Sequence, residues 1–424
     1  MEEEGMTQNK TVLIIGGGFS GMTAAVEAAE AGYDAIIVER NPFLGGRVAQ
    51  LNKYFWKLCP PICGIEINLK RLKNNGRIKY YTLAEVVDIK GEAGNFDVTV
   101  KVSPRYVNEK CVGCDACAQA CPSYRQNEFN FGMDRTKAAY LPFDQAFPFQ
   151  YIIDDRNCTG DCMKVCYDAC KYDAIDLTMN VKTIKLDAGA IILATGWNLY
   201  DANKIDNLGF GRVTNVITNM MMERLAAQNG PTGGRIVRPS DGKEVKNIAF
   251  VQCAGQRDEN HIPYCSSICC LASLKQTMYV RDQYPDAKAQ IFYIDLRTPG
   301  LYENRVLWKV KEDPNVTLTK GKVAKITEDP DTTDVIVVAE DIYGGSKKET
   351  RFDMVVLAAG MVPSTKESGV GINVSYTPDG LVDASVLKTG IYAVGTLKSP
   401  VGVAQSVRDA TNAVIKCIQN LGMR

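Results

Sequence analysis

Eight of the chain's fifteen cysteines fall within the sixty residues from Cys111 to Cys170. The first four are spaced Cys111-x2-Cys114-x2-Cys117-x3-Cys121, with Pro122 directly after. The second four, Cys158, Cys162, Cys166 and Cys170, are each separated by three residues. The start, Met1 to Lys10, is acidic and polar. It is neither a signal peptide nor a basic transit peptide, and reads as a frayed tail. Without an export signal, closely spaced thiols are metal ligands or redox groups more often than disulfides. An odd total also argues against a fully paired framework.

The first run has the spacing of a bacterial ferredoxin, in which three thiolates hold one [4Fe–4S] cube and the fourth reaches a second. The second set departs from that spacing at its first two steps. Its end, Cys166-x3-Cys170 followed by Ala174-Ile175, still resembles a ferredoxin half. Crossing over of the fourth cysteines gives Cys111, Cys114, Cys117 and Cys170 for one cube, and Cys121, Cys158, Cys162 and Cys166 for the other. A zinc site is the alternative, although a tetrahedral zinc ribbon does not crowd four thiols in this way. The module is expected over 104–178. Its aromatic, proline-containing link, Tyr140 to Tyr151, reads as a partner-facing loop.

Ahead of the module, Thr11 to Ile15 is an apolar β-branched run, the pattern of a buried parallel strand. Gly16-Gly17-Gly18-Phe19-Ser20-Gly21 follows, matching G-x-G-x-x-G, then a helix from about Met22 to Ala31 and a strand, Ala35 to Val38, ending at Glu39-Arg40. Gly16 permits the tight turn, Gly18 the approach of a pyrophosphate to the helix N-terminus, and Gly21 close helix–strand packing; Glu39 can accept ribose hydroxyls. Gly45-Gly46-Arg47 completes an E-x5-G-G-R signature that resembles two-dinucleotide-binding-domain flavoproteins. The expected cofactor is therefore FAD. Ala190 to Gly196, ending in Thr195-Gly196, reads as the return strand, and Gly390 to Gly395 as the strand that closes the FAD site. The acid usual after that last glycine is Thr396 here. Backbone N–H groups of Val403, Ala404 and Gln405, opening the final helix, are expected to face the isoalloxazine. Tyr80 to Val102 reads as a β-meander.

A second α/β unit begins at about Lys246, with a strand over Asn247 to Gln252. Such folds place a second glycine fingerprint for NAD(P)H in the next turn. Here it reads Cys253-Ala254-Gly255-Gln256-Arg257, so no NAD(P)H site is evident. Cys253, Cys265, Cys269 and Cys270 are the right number for a third cube, and the adjacent pair Cys269-Cys270 is poorly suited to a disulfide with itself. A redox-active or buried thiol group is the alternative. Cys59 and Cys63 flank Pro60-Pro61, either beside the flavin or a cluster or as unreactive loop thiols. Cys417, in the final helix, reads as a small core residue.

The fold expected is α/β, a two-dinucleotide-binding-domain flavoprotein with thioredoxin-reductase-like Rossmann domains and an inserted ferredoxin-like module. Its parts are FAD domain 10–103, insert 104–178, FAD domain 179–244, second domain 245–362 and FAD domain 363–424. Charge bounds the partners: 49 basic residues balance 49 acidic ones, which does not point to nucleic acid. The single histidine, His261, rules out a bis-His haem. No apolar run approaches the ~20 residues of a spanning helix, so no direct membrane insertion is expected.

FVQCAGQRDE and PYCSSICCLASLK, with the FAD fingerprint, LGGRVAQL and the inserted module, resemble the A-type subunits of heterodisulfide reductase from about Lys10 onward. The resemblance implies that Cys253, Cys265, Cys269 and Cys270 hold an unusual [4Fe–4S] cluster near the FAD, and that Lys275 lies close to flavin N5, where it would stabilise an anionic reduced flavin. Methanogen members are longer. The compact length and KLCPPICGIEIN are more similar to the corresponding A-type component of the quinone-interacting membrane-bound oxidoreductase of sulfate reducers. That implies a cytoplasmic chain held at the inner face of the membrane by two other subunits, one carrying flavin and iron–sulfur centres and one quinone-reactive within the membrane. It would pass electrons to or from adenylylsulfate reductase, by confurcation or bifurcation at the flavin. A sulfur-oxidising heterodisulfide-reductase-like complex, a stand-alone NAD(P)H-dependent flavoenzyme, and a zinc-bearing scaffold are the alternatives.

Overall fold

The structure, a computed structural model, describes residues 9–55, 58–158, 162–300 and 303–422. The acidic start expected to fray lies outside the described residues. The chain divides into two compact units. One takes the chain up to Ala49, Pro61–Trp197 and Pro363 onward; the other takes Gln50–Pro60 and Asn198–Val362.

The first unit is built on a five-stranded parallel sheet, in the order Ile391–Ala393, Ala190–Leu193, Thr11–Ile15, Asp34–Val38, Ile78–Tyr81. Thr11–Ile15 is central and covered on both faces, which explains its unbroken apolar run. Val12 and Ile14 point into one core, with Met22, Ala25, Ala410 and Cys417. Leu13 and Ile15 point into another, with Phe96, Val98 and Val100. The first core is helical, from Phe19–Glu30 and Val403–Gly422. The second is closed by a three-stranded antiparallel sheet, Lys182–Ala188, Asn95–Val102 and Ala84–Glu92. Tyr80 and Tyr81 therefore leave the expected meander. They pair with Ile37 and Val38 in the parallel sheet, and a strand from beyond the insert supplies the third antiparallel member.

The insert has little regular structure. Its core joins Val107, Ala138, Ile153 and Ile175 to Cys121, Cys158 and Cys166. Most of the aromatic link turns inward. Phe143 stacks on Phe129 at 4.7 Å and meets Phe43 edge-on at 5.2 Å, while Ala146, Phe147 and Tyr151 are buried. Aromatic side chains of this size gain most by burial, and Phe149 remains exposed.

The second unit has its own five-stranded parallel sheet, Val216–Thr218, Met354–Ala359, Asn247–Ala254, Lys288–Tyr293, Val316–Lys320. A three-stranded antiparallel sheet joins Val323–Glu328, Val335–Asp341 and Ser346–Phe352. Val216, Ile217 and Thr218 pair with Val355, Val356 and Leu357. Residues 198–244 fall in this second unit, where Val216–Thr218 forms the edge strand of the sheet. Among the described residues no helix is long and apolar enough to cross a membrane.

Candidate flavin and iron–sulfur sites

The glycine turn is dictated by contact distances. Gly16 has φ +109°, and a Cβ there would lie 2.5 Å from the Ala194 carbonyl oxygen. A Cβ on Gly21 would lie 1.9 Å from the Gly16 carbonyl oxygen. Gly45 N–H donates to Gly17 O at 2.9 Å, and a Cβ on Gly46 would come within 2.9 Å of Gly18 Cα. The Gly45-Gly46 pair is therefore required by backbone-on-backbone closure over the turn. Gly18 itself faces open space; a Cβ there would meet no atom nearer than 3.9 Å. The helix opening at Phe19, with Ser20 and Gly21 in its first turn, has Gly18 as N-cap and no side-chain cap. Free N–H groups beside an open glycine suit a pyrophosphate.

Glu39 is buried and holds this turn together. Its carboxylate accepts Gly17 N–H at 2.6 Å, Asn41 N–H at 2.7 Å and the Asn41 amide at 2.8 Å. Burial pushes its pKa up despite these bonds. With three of about four acceptor sites used, one remains for a ribose hydroxyl. Arg40 beside it is exposed. Arg47 instead packs within the unit, its guanidinium 5.7 Å from the Phe131 ring and 5.8 Å from the Trp197 ring. The buried Thr195 hydroxyl has no hydrogen-bond partner, while Ser364 Oγ and N–H donate to the carbonyls of Thr195 and Gly196. That orphaned hydroxyl, the open face of Gly18 and the uncapped helix fit a bound dinucleotide.

At the closing strand, Gly395 N–H donates to Asp409 Oδ2 at 2.7 Å, and Lys398 Nζ lies 2.7 Å from Asp409 Oδ1. Gly395, Lys398, Gln405, Arg408, Asp409 and Asn412 line a cavity of about 510 Å3. Asp409 thus reaches the closing strand from the final helix, whose first turn is Val403, Ala404 and Gln405. Sequence reasoning missed Asp409; an acid two turns into a helix reads as a solvated face.

The insert's cysteines gather in two groups. Cys111, Cys114, Cys117 and Cys170 line one cavity, with Tyr151 and Tyr172. Cys121, Cys158, Cys162 and Cys166 neighbour one another: Cys158 and Cys162 sulfurs are 2.7 Å apart, and Cys166 is influenced by Cys121 and Cys162. The cysteines nearest in sequence are therefore not those nearest in space, since Cys170 leaves its own four to join the first three. Burial, then Cys111, pushes the Cys117 thiol up to about 12; burial, then Cys121, pushes Cys166 up to about 12. Thiols so crowded ionise only when a cation neutralises them. Among the described residues no three His, Cys, Asp or Glu side chains converge as one metal ion would require.

In the second unit, Cys253 ends the Asn247–Ala254 strand, and Cys269 and Cys270 open the helix Cys269–Gln283. Burial foremost raises Cys253 to about 11 and Cys269 to about 12, with the neighbouring set members adding to both shifts. Five residues past the paired cysteines, Lys275 is buried. Its Nζ pairs with Glu223 Oε1 at 3.0 Å and donates to Lys53 O. Glu223 also accepts Gln276 Nε2 at 2.7 Å, Asn52 N–H at 3.0 Å and Tyr279 OH at 3.3 Å. Desolvation lowers the Lys275 pKa against the pull of Glu223.

Residues 11–59 match the family model of FAD dependent oxidoreductase, and residues 104–124 that of 4Fe-4S binding domain. The chain is 38% identical over 419 residues to a CoB--CoM heterodisulfide reductase iron-sulfur subunit of the A type from Methanopyrus kandleri, covering 95% of this chain. It is 37% identical, over an alignment of 430 residues that covers 98% of this chain, to the A-type subunit of the ferredoxin/F(420)H(2)-dependent CoB-CoM heterodisulfide reductase of Methanosarcina acetivorans. The chain is a homologue of the heterodisulfide reductase A-type subunits. This homologue spans 63% of the length of the first of those relatives and 53% of the second. Its fold resembles Lactococcus lactis thioredoxin reductase, with TM-score 0.52 at 14% identity over 98% of this chain and 100% of that one. It is a flavin and iron–sulfur protein. Glu223 of this heterodisulfide reductase homologue was also invisible to sequence reasoning. Its one signal is an acid amid Met220, Met221, Met222 and Leu225.

Proposed function

We propose that this chain is the FAD- and iron–sulfur-containing electron-transfer subunit of a heterodisulfide-reductase-like complex, an oxidoreductase component. The observation that carries the reading is the grouping of Cys111, Cys114 and Cys117 with Cys170 in a chain that also has an open, uncapped dinucleotide turn. Three [4Fe–4S] cubes are assigned. They are held by Cys111, Cys114, Cys117 and Cys170, by Cys121, Cys158, Cys162 and Cys166, and by Cys253, Cys265, Cys269 and Cys270.

When bound, FAD supplies exchange between electron pairs and single electrons, and the clusters supply one-electron conduction. The chain's own residues prepare the site. Glu39 fixes the glycine turn, so the helix N–H groups are set before a pyrophosphate arrives. Asp409 fixes Gly395 at the closing strand. Glu223 fixes the Lys275 ammonium, a buried cation five residues from the paired cysteines.

The finer reading extends the resemblance of KLCPPICGIEIN. The partners would be adenylylsulfate reductase and two further subunits of the complex, one with flavin and iron–sulfur centres and one quinone-reactive within the membrane. The chain would be peripheral on the cytoplasmic face. Electrons would be confurcated or bifurcated at the flavin. The test is anaerobic reduction of the FAD- and iron-loaded chain. Reduced ferredoxin, a one-electron donor, is expected to bleach flavin and clusters, and NADPH is expected to leave them oxidised. Bleaching by NADPH alone would favour a self-contained flavoenzyme.

A further inference from the structure

The cavity beside the closing strand has two walls. One is the segment from Gly395 to Val401. The other is a face of the final helix, on which Gln405, Arg408 and Asn412 recur at helical spacing. Asp409 ties the walls together. Its Oδ2 accepts Gly395 N–H at 2.7 Å, and its Oδ1 meets Lys398 Nζ at 2.7 Å. The segment is pinned twice more, by Lys398 N–H donating to Gly395 O at 3.3 Å and Ser406 N–H to Gly402 O at 3.0 Å. The gap between the walls is thus fixed largely by hydrogen bonds to backbone.

The cavity's volume, about 510 Å3, lies within the roughly 300–1,000 Å3 usual for small-molecule sites. Its lining is polar, with Val401 the one apolar side chain. Among the described residues, Arg408 makes no ion pair, and the side chains of Ser399, Gln405 and Asn412 make no hydrogen bond. Asp409, by contrast, has both oxygens engaged. The cavity therefore presents one uncompensated cation, a hydroxyl and two amides without an internal partner, with the Lys398 ammonium beside them. It is not the cradle of the dinucleotide turn, since none of Gly16, Gly18, Glu39 and Thr195 lines it. It adjoins that cradle. A Cβ on Gly395 would lie 2.8 Å from Ser20 Oγ, and Gly395 and Gln405 also belong to the expected flavin contacts.

We propose that this cavity is a second ligand site, for a small organic phosphomonoester. The Arg408 fork suits two oxygens of a phosphate, and Lys398 with the Ser399 hydroxyl suits a third. A carboxylate has only two oxygens, which Arg408 alone would use. Inorganic phosphate would fill a small part of the volume. The amides of Gln405 and Asn412 are left to meet the hydroxyl or carbonyl groups of an organic body. A dianion beside Gly395 and Gln405 brings negative charge next to the flavin site, so occupancy should disturb the flavin spectrum. The site needs none of the iron–sulfur clusters, and its test is independent of them.

The experiment is calorimetric titration of the FAD-loaded full chain with ribose phosphate, glycerol phosphate and uridine monophosphate, with inorganic phosphate as the control. Flavin absorbance is followed in parallel. At least one of the esters is expected to bind about tenfold tighter than inorganic phosphate, or more, and to perturb the flavin band. Arg408 is exposed, so Arg408→Gln is expected to leave the thermal midpoint and FAD content in place. It should weaken ester binding by about tenfold or more, and Arg408→Lys should restore only part of the loss. Asn412→Leu is expected to weaken the ester without changing inorganic phosphate. The proposal is overturned if no ester binds, if inorganic phosphate binds as well as every ester (an adventitious ion only), or if Arg408→Gln leaves binding unchanged. It is also overturned if the esters bind only the FAD-free chain and Arg408→Gln lowers FAD affinity, since the cavity would then be part of the FAD pocket.

Discussion

Lys275 Nζ lies 3.0 Å from Glu223 Oε1, and both side chains are almost wholly buried. Breaking such a pair leaves one buried charge uncompensated, at about 3–5 kcal/mol. Glu223→Gln is expected to lower the thermal midpoint by on the order of 10 °C, and Lys275→Met added to it to recover much of that. Burial holds the Lys275 pKa below its ordinary value. Without Glu223 it falls further, so the folded variant binds fewer protons than the unfolded one. Stability of the variant should therefore rise with pH between the folded value and about 10.4. Thermal melts across pH check both; a midpoint unaffected by the substitution would contradict the pair's role.

Glu39→Gln keeps one acceptor oxygen where the carboxylate uses two. One of the Gly17 and Asn41 N–H groups is left without its partner, at about 1–3 kcal/mol. Since burial raises the Glu39 pKa, its contribution to stability is complete below the unfolded value and lost as pH rises through the folded one. The variant should lose that pH dependence and bind FAD more weakly. Melts of the flavin-free protein and flavin titration measure the two separately.

Two glycines of one turn should behave oppositely. A Cβ on Gly21 meets the Gly16 carbonyl at 1.9 Å, so Gly21→Ala must push helix from strand, at about 1–3 kcal/mol or more. Gly18→Ala clears its neighbours and has φ −70°, so the flavin-free fold should melt where the natural chain does. Its methyl group fills the cradle, and FAD affinity should drop by about tenfold or more. Equal affinity would contradict the placement of the pyrophosphate.

The grouping of cysteines gives a test of ligand sets. Cys170→Ser should remove the same EPR signal as Cys114→Ser, and Cys121→Ser the same as Cys158→Ser. If Cys170→Ser matched Cys158→Ser instead, pairing would follow sequence rather than space.

The flavin half of the fold was readable because its chemistry constrains the backbone locally. Gly16, Gly21 and Gly46 are demanded by contacts under 3 Å, and no other residue fits them. The first four cysteines were readable for the same reason, their spacing being set by a cluster's geometry. What was not readable depends on distant pairing. Val216–Thr218 finds its place only against Val355–Leu357, and the Ala84–Val102 hairpin only against Lys182–Ala188. Glu223 and Asp409 carry no motif, because each acts on a backbone or a charge that the fold brings to it. The Tyr140–Tyr151 link looked exposed by composition, yet Phe43 and Phe129 lie where its rings can be buried.

Three cysteine sets and one dinucleotide turn are expected to hold three cubes and one FAD. Iron, sulfide, zinc and flavin content of the anaerobically purified chain tests it most directly. About twelve irons and twelve sulfides per FAD are predicted. Zinc without iron would contradict the account.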